Sequence, residues 1–238
     1  MMNQQYIKAV LFDLDGTLID TANDFIRIIQ VMCAKHNHPC PTDTAIREQV
    51  SAGAKAMVKL MFGEELAKVA DDDPKIQSYR QEFLDIYEQD ICVDSQIFAG
   101  LDDKLKELER QGTPWGIVTN KPRYLAEKLL DALGLTHRCA VLVCPDDVAR
   151  SKPDPEPMYL AMEKLAMPRA MAGSIIYVGD HLRDIQAGNA AGMITVLAAY
   201  GYLPPEDKDN LPAWQADFIV NTPKELVTLL GSNRFDYL

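Results

Sequence analysis

The chain has 238 residues, of which 35 are acidic and 24 are basic, so its formal net charge is −11 at pH 7. Sequence-independent binding of nucleic acid depends on Lys and Arg that neutralise phosphates, so this charge argues against a nucleic-acid-binding protein. A small anionic substrate is not excluded, because a metal ion and one or two lysines can reverse the local field. A chain of this length can form one large domain, or one domain that carries an inserted smaller one.

The five cysteines form neither a CxxC pair nor a cluster with zinc spacing, and an odd number without a framework is typical of a reducing cytosol. No basic segment followed by an apolar one marks the N-terminus, and no apolar run approaches the length of a membrane span. We therefore expect a cytoplasmic protein without a membrane partner. A monomer and a homodimer both remain open, since no heptad pattern is present.

Short apolar runs alternate with longer helical patterns, which predicts a parallel sheet covered by helices. The predicted strands are 7–13, 115–120, 140–144, 174–180, 193–199 and 217–220. The predicted helices among them are 101–111, 122–134, 155–166, 183–192 and 223–230. The expected fold class is therefore α/β, with a three-layer, Rossmann-like parallel sheet as its core.

The interval between the first two predicted strands breaks this rhythm. It has helical patterns near 22–36, 42–61, 64–70 and 75–90 and no convincing strand, whereas a βα crossover needs only a fraction of its length. One interpretation is a helical decoration; the other is an inserted four-helix cap domain over 18–95. Insertions at the carboxyl ends of strands face the ligand crevice, so we favour the cap, with a core of 1–17 and 96–238.

The first predicted strand ends in Asp13-Leu14-Asp15-Gly16-Thr17. Two carboxylates this close raise each other's pKa unless a cation or strong donors hold them, and a simple turn would use Asn-Gly or one Asp-Gly. Three more polar clusters follow predicted strands at the same sheet edge, where open α/β sheets bind ligands. They are Val118 to Pro122, Ser151 to Pro157 and Val178 to Asp184.

Taken alone, each of these clusters has an ordinary structural explanation. Thr119 is then a helix cap, Lys152 a solvated loop lysine, and Gly179-Asp180 a turn. Taken together, they supply a nucleophile, a hydroxyl, a lysine and a metal carboxylate in order along the chain. This combination favours a common site over four unrelated loops.

The set closely resembles the motifs of the haloacid dehalogenase superfamily of phosphotransferases, over the whole chain. In that family an Asp-x-Asp-Gly-Thr sequence supplies the nucleophile and the acid/base, which match Asp13 and Asp15. The resemblance implies that Thr119, with Asn120 beside it, binds the transferred phosphoryl group and that Lys152 neutralises it.

The resemblance also implies a magnesium site. Asp13, the backbone carbonyl of Asp15 and Asp180 then hold Mg²⁺, with Asp184 in support, in an oxygen-only shell completed by water and substrate phosphate. A carboxylate at position 15 selects the phosphatases and phosphomutases of the superfamily, because its dehalogenases, P-type ATPases and phosphonatases lack one there. Since Asp15 already handles protons, we expect His181 to be a loop residue and not a proton shuttle.

The helical insertion resembles that of the phosphoglycolate phosphatase group. The stretches Ser51 to Lys55, Ser151 to Pro157 and Tyr200 to Tyr202 are most similar to N-acetylmuramic acid 6-phosphate phosphatases. Both substrates carry a carboxylate besides the phosphate. We hypothesise that Gly53 permits close approach of the backbone to the substrate and that Lys55 pairs with its carboxylate. In the alternative, 51–55 is an ordinary stretch of helix and Lys55 is solvated.

Two other function classes remain open. A phosphomutase of the β-phosphoglucomutase type shares every catalytic residue, and differs in whether water or a second hydroxyl takes the phosphoryl group. A non-enzymatic phospho-acceptor module, such as a response-regulator receiver, also has Thr and Lys beside an acidic site. Such a module is much shorter, has no cap and does not need Asp15 as an acid/base.

Overall fold

The structure is a computed structural model that describes residues 7–231. Residues 1–6, on which the expected absence of a targeting segment partly depends, lie outside the described residues, as does the end of the predicted core after 231. Within the described range, no helix is both long enough and apolar enough to span a bilayer.

Six parallel strands form the central sheet, and a two-stranded antiparallel pair lies beside it. The strands are β1 (Ala9–Phe12), β2 (Ile19–Asp20), β3 (Gln96–Ile97), β4 (Trp115–Val118), β5 (Val141–Val143), β6 (Ile175–Gly179), β7 (Ile194–Ala198) and β8 (Phe218–Val220). The order in the main sheet is β5-β4-β1-β6-β7-β8. All six predicted strands are present, and the predicted α/β class with a parallel sheet is confirmed.

Ten α-helices connect or flank these strands in the described chain. They are α1 (Ala22–Lys35), α2 (Asp43–Gln49), α3 (Ala54–Phe62), α4 (Glu64–Ala67), α5 (Pro74–Gln89), α6 (Leu101–Arg110), α7 (Arg123–Ala132), α8 (Glu156–Lys164), α9 (Leu182–Ala191) and α10 (Pro223–Gly231). The helix predicted over 42–61 is interrupted by a 3₁₀ turn at Val50–Ala52 and by Gly53, whose φ is +86°. That backbone conformation favours glycine and ends one helix before α3 begins.

The sheet is covered on both faces, which makes three layers. Strands β1 and β6 are buried along their whole length, as the apolar runs of a parallel sheet require. Leucines of α6, α7 and α10 pack in one cluster with the strands, and residues of α8 and α9 pack in another. This double coverage leaves the carboxyl ends of the strands as the open edge where the polar clusters meet.

Helices α1 to α5 surround a hydrophobic cluster of their own, in which Phe25 packs edge-to-face on Phe83 and Tyr87. Leu125 and Tyr202 join this cluster from the sheet-bearing part of the chain. The β2–β3 pair, Ile19 with Ile97 and Asp20 with Gln96, lies where the chain leaves and re-enters that part. No strand was expected there, because two residues are too few to show an alternating pattern. The division at 17/18 and 95/96 into core and cap stays a prediction.

Candidate active site

The carboxyl ends of β1, β4 and β6 bring the three main motifs together. Asp13 follows β1 directly, and its amide donates a 2.8 Å hydrogen bond to the carbonyl of Val178 in β6. Thr119 follows β4, and Asp180 follows β6. All three side chains are buried. Because parallel neighbours end at the same edge, residues more than 160 positions apart in the sequence share one site.

Lys152 is the cation at the centre of the site. Its side chain is fully buried, and its Nζ lies 2.9 Å from Asp13 Oδ1 and 2.6 Å from Asp184 Oδ1. It also donates to the carbonyl of Val118 at 2.9 Å and to the hydroxyl of Tyr177 at 2.8 Å. The interpretation of Lys152 as a solvated loop lysine is therefore wrong.

Asp13, Asp180 and Asp184 form a buried acidic cluster, in which one oxygen from each carboxylate lies within 4.8 Å of the others. Asp180 Oδ2 accepts hydrogen bonds from Ser51 Oγ at 2.6 Å and from the amide of Tyr202 at 2.8 Å. Asp180 Oδ1 is buried without a partner among the described residues. Burial, with the charges of Asp13 and Asp184, raises the pKa of Asp180 from its ordinary 3.8 to about 8.

This cluster fits a divalent cation with oxygen ligands. Three carboxylates share one lysine, so the cluster is short of positive charge, and the unpartnered Asp180 oxygen offers a ligand atom. Carboxylate oxygens in such a group suit Mg²⁺. A Cβ at Gly16 or at Gly201 would collide with the Asp180 side chain, so these glycines let the backbone pack directly on the cluster. Asp184, predicted as a supporting residue, contributes an oxygen to the cluster, and the Asp15 carboxylate does not.

Asp15 occupies a different environment from Asp13. Its Oδ1 accepts from Lys121 Nζ at 2.9 Å and from Thr21 Oγ1 at 2.8 Å. The Lys121 ammonium is itself buried, 4.3 Å from the ring centre of Tyr87 and 5.1 Å from that of Phe25. A carboxylate held by a lysine and a hydroxyl is oriented separately from the acidic cluster. Lys121 was not among the predicted site residues, although it lies one residue after the Thr119-Asn120 pair.

Thr119 and Asn120 each keep hydrogen-bonding capacity free. Thr119 Oγ1 accepts from the amide of Lys121 at 3.1 Å, which leaves its hydroxyl hydrogen free to donate to a ligand. Asn120 Nδ2 donates to the carbonyl of Lys152 at 3.1 Å, and Asn120 Oδ1 is buried without a partner in the described chain. The expected alternative for Thr119, a helix cap, does not hold, because the N-cap of α7 is Pro122.

A cavity of about 320 Å³ opens above these groups. Asp13, Asp15, Thr119 and Asn120 line it from the sheet, and α5 with the 50–55 segment lines it from the opposite side. Its charged lining consists of two carboxylates and four cations, the latter being Lys55, Arg80, Lys121 and Arg183. A molecule with a net charge of −11 thus places a local excess of positive charge around this cavity, as an anionic ligand requires.

The 50–55 segment is not the ordinary stretch of helix that the alternative hypothesis described. A Cβ at Gly53 would meet nothing within 4 Å, so glycine is required there by the positive φ and not by packing inside the protein. Lys55 lines the cavity and is 43% exposed. Its Nζ lies 4.0 Å from Asp71, which is bonded to Lys59 at 2.6 Å, so Lys55 has only a weak internal partner.

Ser51 reaches the acidic cluster from this helical segment. Besides its bond to Asp180, it accepts a hydrogen bond from the guanidinium of Arg183 at its backbone carbonyl. Neither residue was predicted to be in the site, because a contact across 129 positions leaves no local pattern. The two contacts tie the helical segment to the floor of the cavity.

His181 begins α9 beside the acidic cluster. It is the N-cap of α9, and its Nδ1 accepts a 3.2 Å hydrogen bond from the amide of Arg183. Burial, assisted by the charge of Arg183, lowers the pKa of His181 to about 4, so the ring is neutral at pH 7. The structure thus gives His181 a capping role, and its expected absence from proton transfer stays a prediction.

The family model of haloacid dehalogenase-like hydrolases matches residues 10–198, a span that includes all four polar clusters. The chain belongs to this family. The resemblance predicted from the motifs is therefore confirmed, and the alternative of a non-enzymatic phospho-acceptor module is set aside.

Curated relatives extend this similarity over nearly the whole chain. The chain is 46% identical over 229 residues to an N-acetylmuramic acid 6-phosphate phosphatase of Pseudomonas aeruginosa, covering 96% of this chain and 97% of the relative. It is 40% identical over 222 residues to a phosphoglycolate phosphatase of Xanthomonas campestris, covering 93% and 96%. A crystal structure of a predicted phosphoglycolate phosphatase from Haemophilus somnus superposes with a TM-score of 0.79, at 24% identity and 96% and 99% coverage, which supports the fold.

Proposed function

We propose that this phosphatase hydrolyses a small phosphomonoester that carries a carboxylate, with Mg²⁺ and through an aspartyl-phosphate on Asp13. N-acetylmuramic acid 6-phosphate and 2-phosphoglycolate are the candidate substrates, because the relatives at 46% and 40% identity are named for them. The observation that carries the proposal is the meeting of Asp13, Lys152 and the acidic cluster at the floor of a cavity with four cations in its lining.

Neutralisation of the substrate comes first in the mechanism. A phosphomonoester dianion repels a carboxylate nucleophile, so cations have to offset its charge before the attack. Lys152 supplies one of them at 2.9 Å from Asp13. Asp13, Asp180 and the backbone carbonyl of Asp15, with Asp184 beside them, would hold Mg²⁺, which supplies charge neutralisation and orientation of the phosphoryl group when bound.

Asp13 attacks phosphorus in line and forms the aspartyl-phosphate, while Asp15 gives its proton to the leaving alkoxide. Asp15 then takes a proton from the water that hydrolyses the acyl phosphate. The free hydroxyl hydrogen of Thr119, Asn120 and backbone amides of the 14–17 turn hold the other phosphoryl oxygens. Lys121, at 2.9 Å from Asp15, orients that carboxylate and stabilises its ionised form between the two proton transfers.

The segment 18–95 acts as a cap over this site in the proposal. Its helices pack around a hydrophobic cluster, and Ser51 donates a 2.6 Å hydrogen bond to Asp180 of the acidic cluster. The cap brings Gly53 and Lys55 to the cavity wall, where Lys55 adds attraction for the substrate carboxylate. By keeping bulk water out of the site, the cap protects the aspartyl-phosphate until hydrolysis.

Release of inorganic phosphate tests the proposal. The purified protein is incubated with Mg²⁺ and each of several phosphorylated metabolites, among them the two candidates and hexose phosphates without a carboxylate. We expect phosphate from a carboxylate-bearing ester, none with EDTA in excess, and a loss of at least about a thousandfold in kcat for Asp13→Asn. Asp13→Asn removes one of several like charges, so its thermal stability should not fall below that of the wild type.

Three results would speak against the proposal. Absence of phosphate release from every ester would refute phosphatase action on this class of substrate. Conversion of one sugar phosphate into its isomer would indicate a phosphomutase. Activity of Asp13→Asn within tenfold of the wild type would remove Asp13 as the nucleophile.

A further inference from the structure

The cavity above Asp13 adjoins a second, outer cavity of about 680 Å³. The residues common to the linings of both cavities are Arg80, Leu84, Asn120 and Pro122. Among these shared residues only Arg80 is charged. A ligand whose phosphoryl group lies at Asp13 therefore passes Arg80 before it reaches the outer cavity.

The sequence of α5 explains why Arg80 lies at this junction. Arg80, Phe83, Leu84 and Tyr87 recur at helical spacing, and all four line the inner cavity. Phe83 and Tyr87 are buried and fix this face of the helix against α1. Arg80 lies at the outer end of that face, a full turn from Leu84, and is half-buried.

Arg80 makes no hydrogen bond or ion pair within residues 7–231, unlike its charged neighbours in the cavities. Lys121 is bonded to Asp15, and Arg183 to the Ser51 carbonyl. The acidic residues of the outer cavity are also engaged: Glu88 pairs with Lys128, and Asp146 accepts from the amide of Arg123 at 2.9 Å. The donors of this half-buried guanidinium are therefore available to an anionic ligand that enters the cavity.

We infer that Arg80 is the specificity-determining residue that binds the substrate carboxylate, and that the organic part of the substrate extends into the outer cavity. The inference rests on the proposed phosphatase activity. At the far end of the inner cavity, Lys152 and the Mg²⁺ that the acidic cluster would hold already neutralise the phosphoryl group, so the anion left for Arg80 is the carboxylate. The planar guanidinium fork matches a carboxylate in two parallel hydrogen bonds, which the point charge of Lys55 cannot do.

The outer cavity also offers a surface for a sugar ring. Tyr124 lines it, and 38% of this residue is exposed, which is unusual for an aromatic side chain in this fold. Its ring supplies an apolar face of the kind on which the C–H bonds of a pyranose pack. This observation favours a sugar acid phosphate over a two-carbon acid as the substrate that uses Arg80.

A matched pair of substrates tests the inference. N-acetylmuramic acid 6-phosphate and N-acetylglucosamine 6-phosphate differ only in the lactyl ether that carries the carboxylate. We expect Arg80→Ala to lower kcat/KM for the first on the order of a hundredfold, because the carboxylate loses its charged partner. For the second substrate, kcat/KM should change by less than about threefold.

Two further variants sharpen the test. Arg80→Lys keeps the positive charge and loses the planar guanidinium fork. Its kcat/KM for the lactyl substrate should therefore lie between those of the wild type and Arg80→Ala. Lys75→Ala removes one positive charge from the same helix at an exposed position paired with Glu65, outside both cavities. This variant should leave kcat/KM for both substrates unchanged, which distinguishes a local contact of Arg80 from a general effect of positive charge.

The outcomes separate this inference from the proposed function. Equal losses on both substrates in Arg80→Ala, or no loss on the lactyl substrate, would overturn the assignment of Arg80 while the phosphatase activity stands. No phosphate release by the wild type from either ester, or from any other ester with a carboxylate, would overturn the proposed function and this inference with it. A melting temperature of Arg80→Lys equal to that of the wild type checks that the helix is intact.

Discussion

Among the site residues, Asp180 is a fully buried carboxylate that lies beside two other carboxylates. Its Oδ2 accepts hydrogen bonds from Ser51 and from the amide of Tyr202, while its Oδ1 is buried without a donor among the described residues, and Asp13 and Asp184 lie beside it in the cluster. Because the pKa of Asp180 is raised to about 8, folding without a cation forces this carboxyl to take up a proton at pH 7, and that destabilises the fold. If the cluster holds Mg²⁺ as proposed, Asp180 stabilises the metal-bound protein and destabilises the metal-free one.

Asp180→Asn tests this assignment through stability as well as activity. The amide keeps an oxygen for Ser51 and Tyr202, and its NH₂ group can donate toward the neighbouring carboxylates. In EDTA we expect the variant to be more stable than the wild type by about 1–3 kcal/mol, measured by urea denaturation. Mg²⁺ should stabilise the wild type and have no effect on the variant, which should also be inactive. A variant less stable than the wild type in EDTA would contradict the assignment.

The site residues that could be predicted are those that follow a strand. Asp13, Thr119 and Asp180 each end an apolar run, and parallel strands bring such ends to one edge, so their proximity follows from local patterns. Arg80 and Ser51 come from the helical segment, and their arrival at the cavity depends on how that segment packs on the sheet. No local pattern encodes that packing.

At the scale of secondary structure, long periodic elements were predictable and short ones were not. The six strands of the main sheet and most helices match their apolar patterns within a few residues. The β2–β3 pair is two residues long, and its paired residues lie 76 and 78 positions apart. The break at Gly53 was hidden because the apolar spacing of α2 and α3 continues across it, although a glycine with positive φ ends the helix.

Asp24 provides a prediction at the junction of two elements. This buried carboxylate of α1 accepts from the amide and hydroxyl of Ser95, at 3.0 and 2.5 Å, and from the amide of Asp94 at 3.1 Å. It thereby ties α1 to the segment that leads into β3. Asp24→Asn removes the charge and one acceptor oxygen, so we expect a loss of about 1.5–3 kcal/mol in the free energy of unfolding.

Asp90→Asn is the matched control for Asp24→Asn. Both carboxylates bond Arg27, at 2.6 Å for Asp24 and 3.3 Å for Asp90, but Asp90 is largely exposed. An exposed ion pair contributes little, so this control should change the free energy of unfolding by less than about 0.5 kcal/mol. Equal effects of the two substitutions would show that the Asp24–Ser95 hydrogen bonds do not stabilise the junction.

At the scale of the whole molecule, charged residues and hydrophobic clusters both mark the boundary between the helical segment 18–95 and the sheet-bearing part. The net charge of the protein is −11, yet four cations and only two carboxylates line the cavity between the sheet edge and the helical segment. Most hydrophobic residues of α1 to α5 form one cluster, which Leu125 and Tyr202 join from the sheet-bearing part, and the sheet has separate clusters. Motion of the proposed cap would leave most of each cluster intact and would expose chiefly the contacts of Leu125 and Tyr202.

The proposed division at 18–95 predicts that the two parts unfold separately when the cap is weakened. Both tryptophans, Trp115 and Trp214, lie outside 18–95, so their fluorescence reports the sheet-bearing part, whereas far-UV circular dichroism reports both parts. Ile29→Ala removes a fully buried side chain from the cluster of α1 to α5, which costs about 2–5 kcal/mol. Its dichroism should then decrease at lower urea than its fluorescence changes.

The equivalent substitution in the sheet, Ile117→Ala, should shift the fluorescence transition to lower urea. Coincident fluorescence and dichroism curves for Ile29→Ala would mean that 18–95 and the sheet unfold as one cooperative unit, and the cap would not be a separate domain.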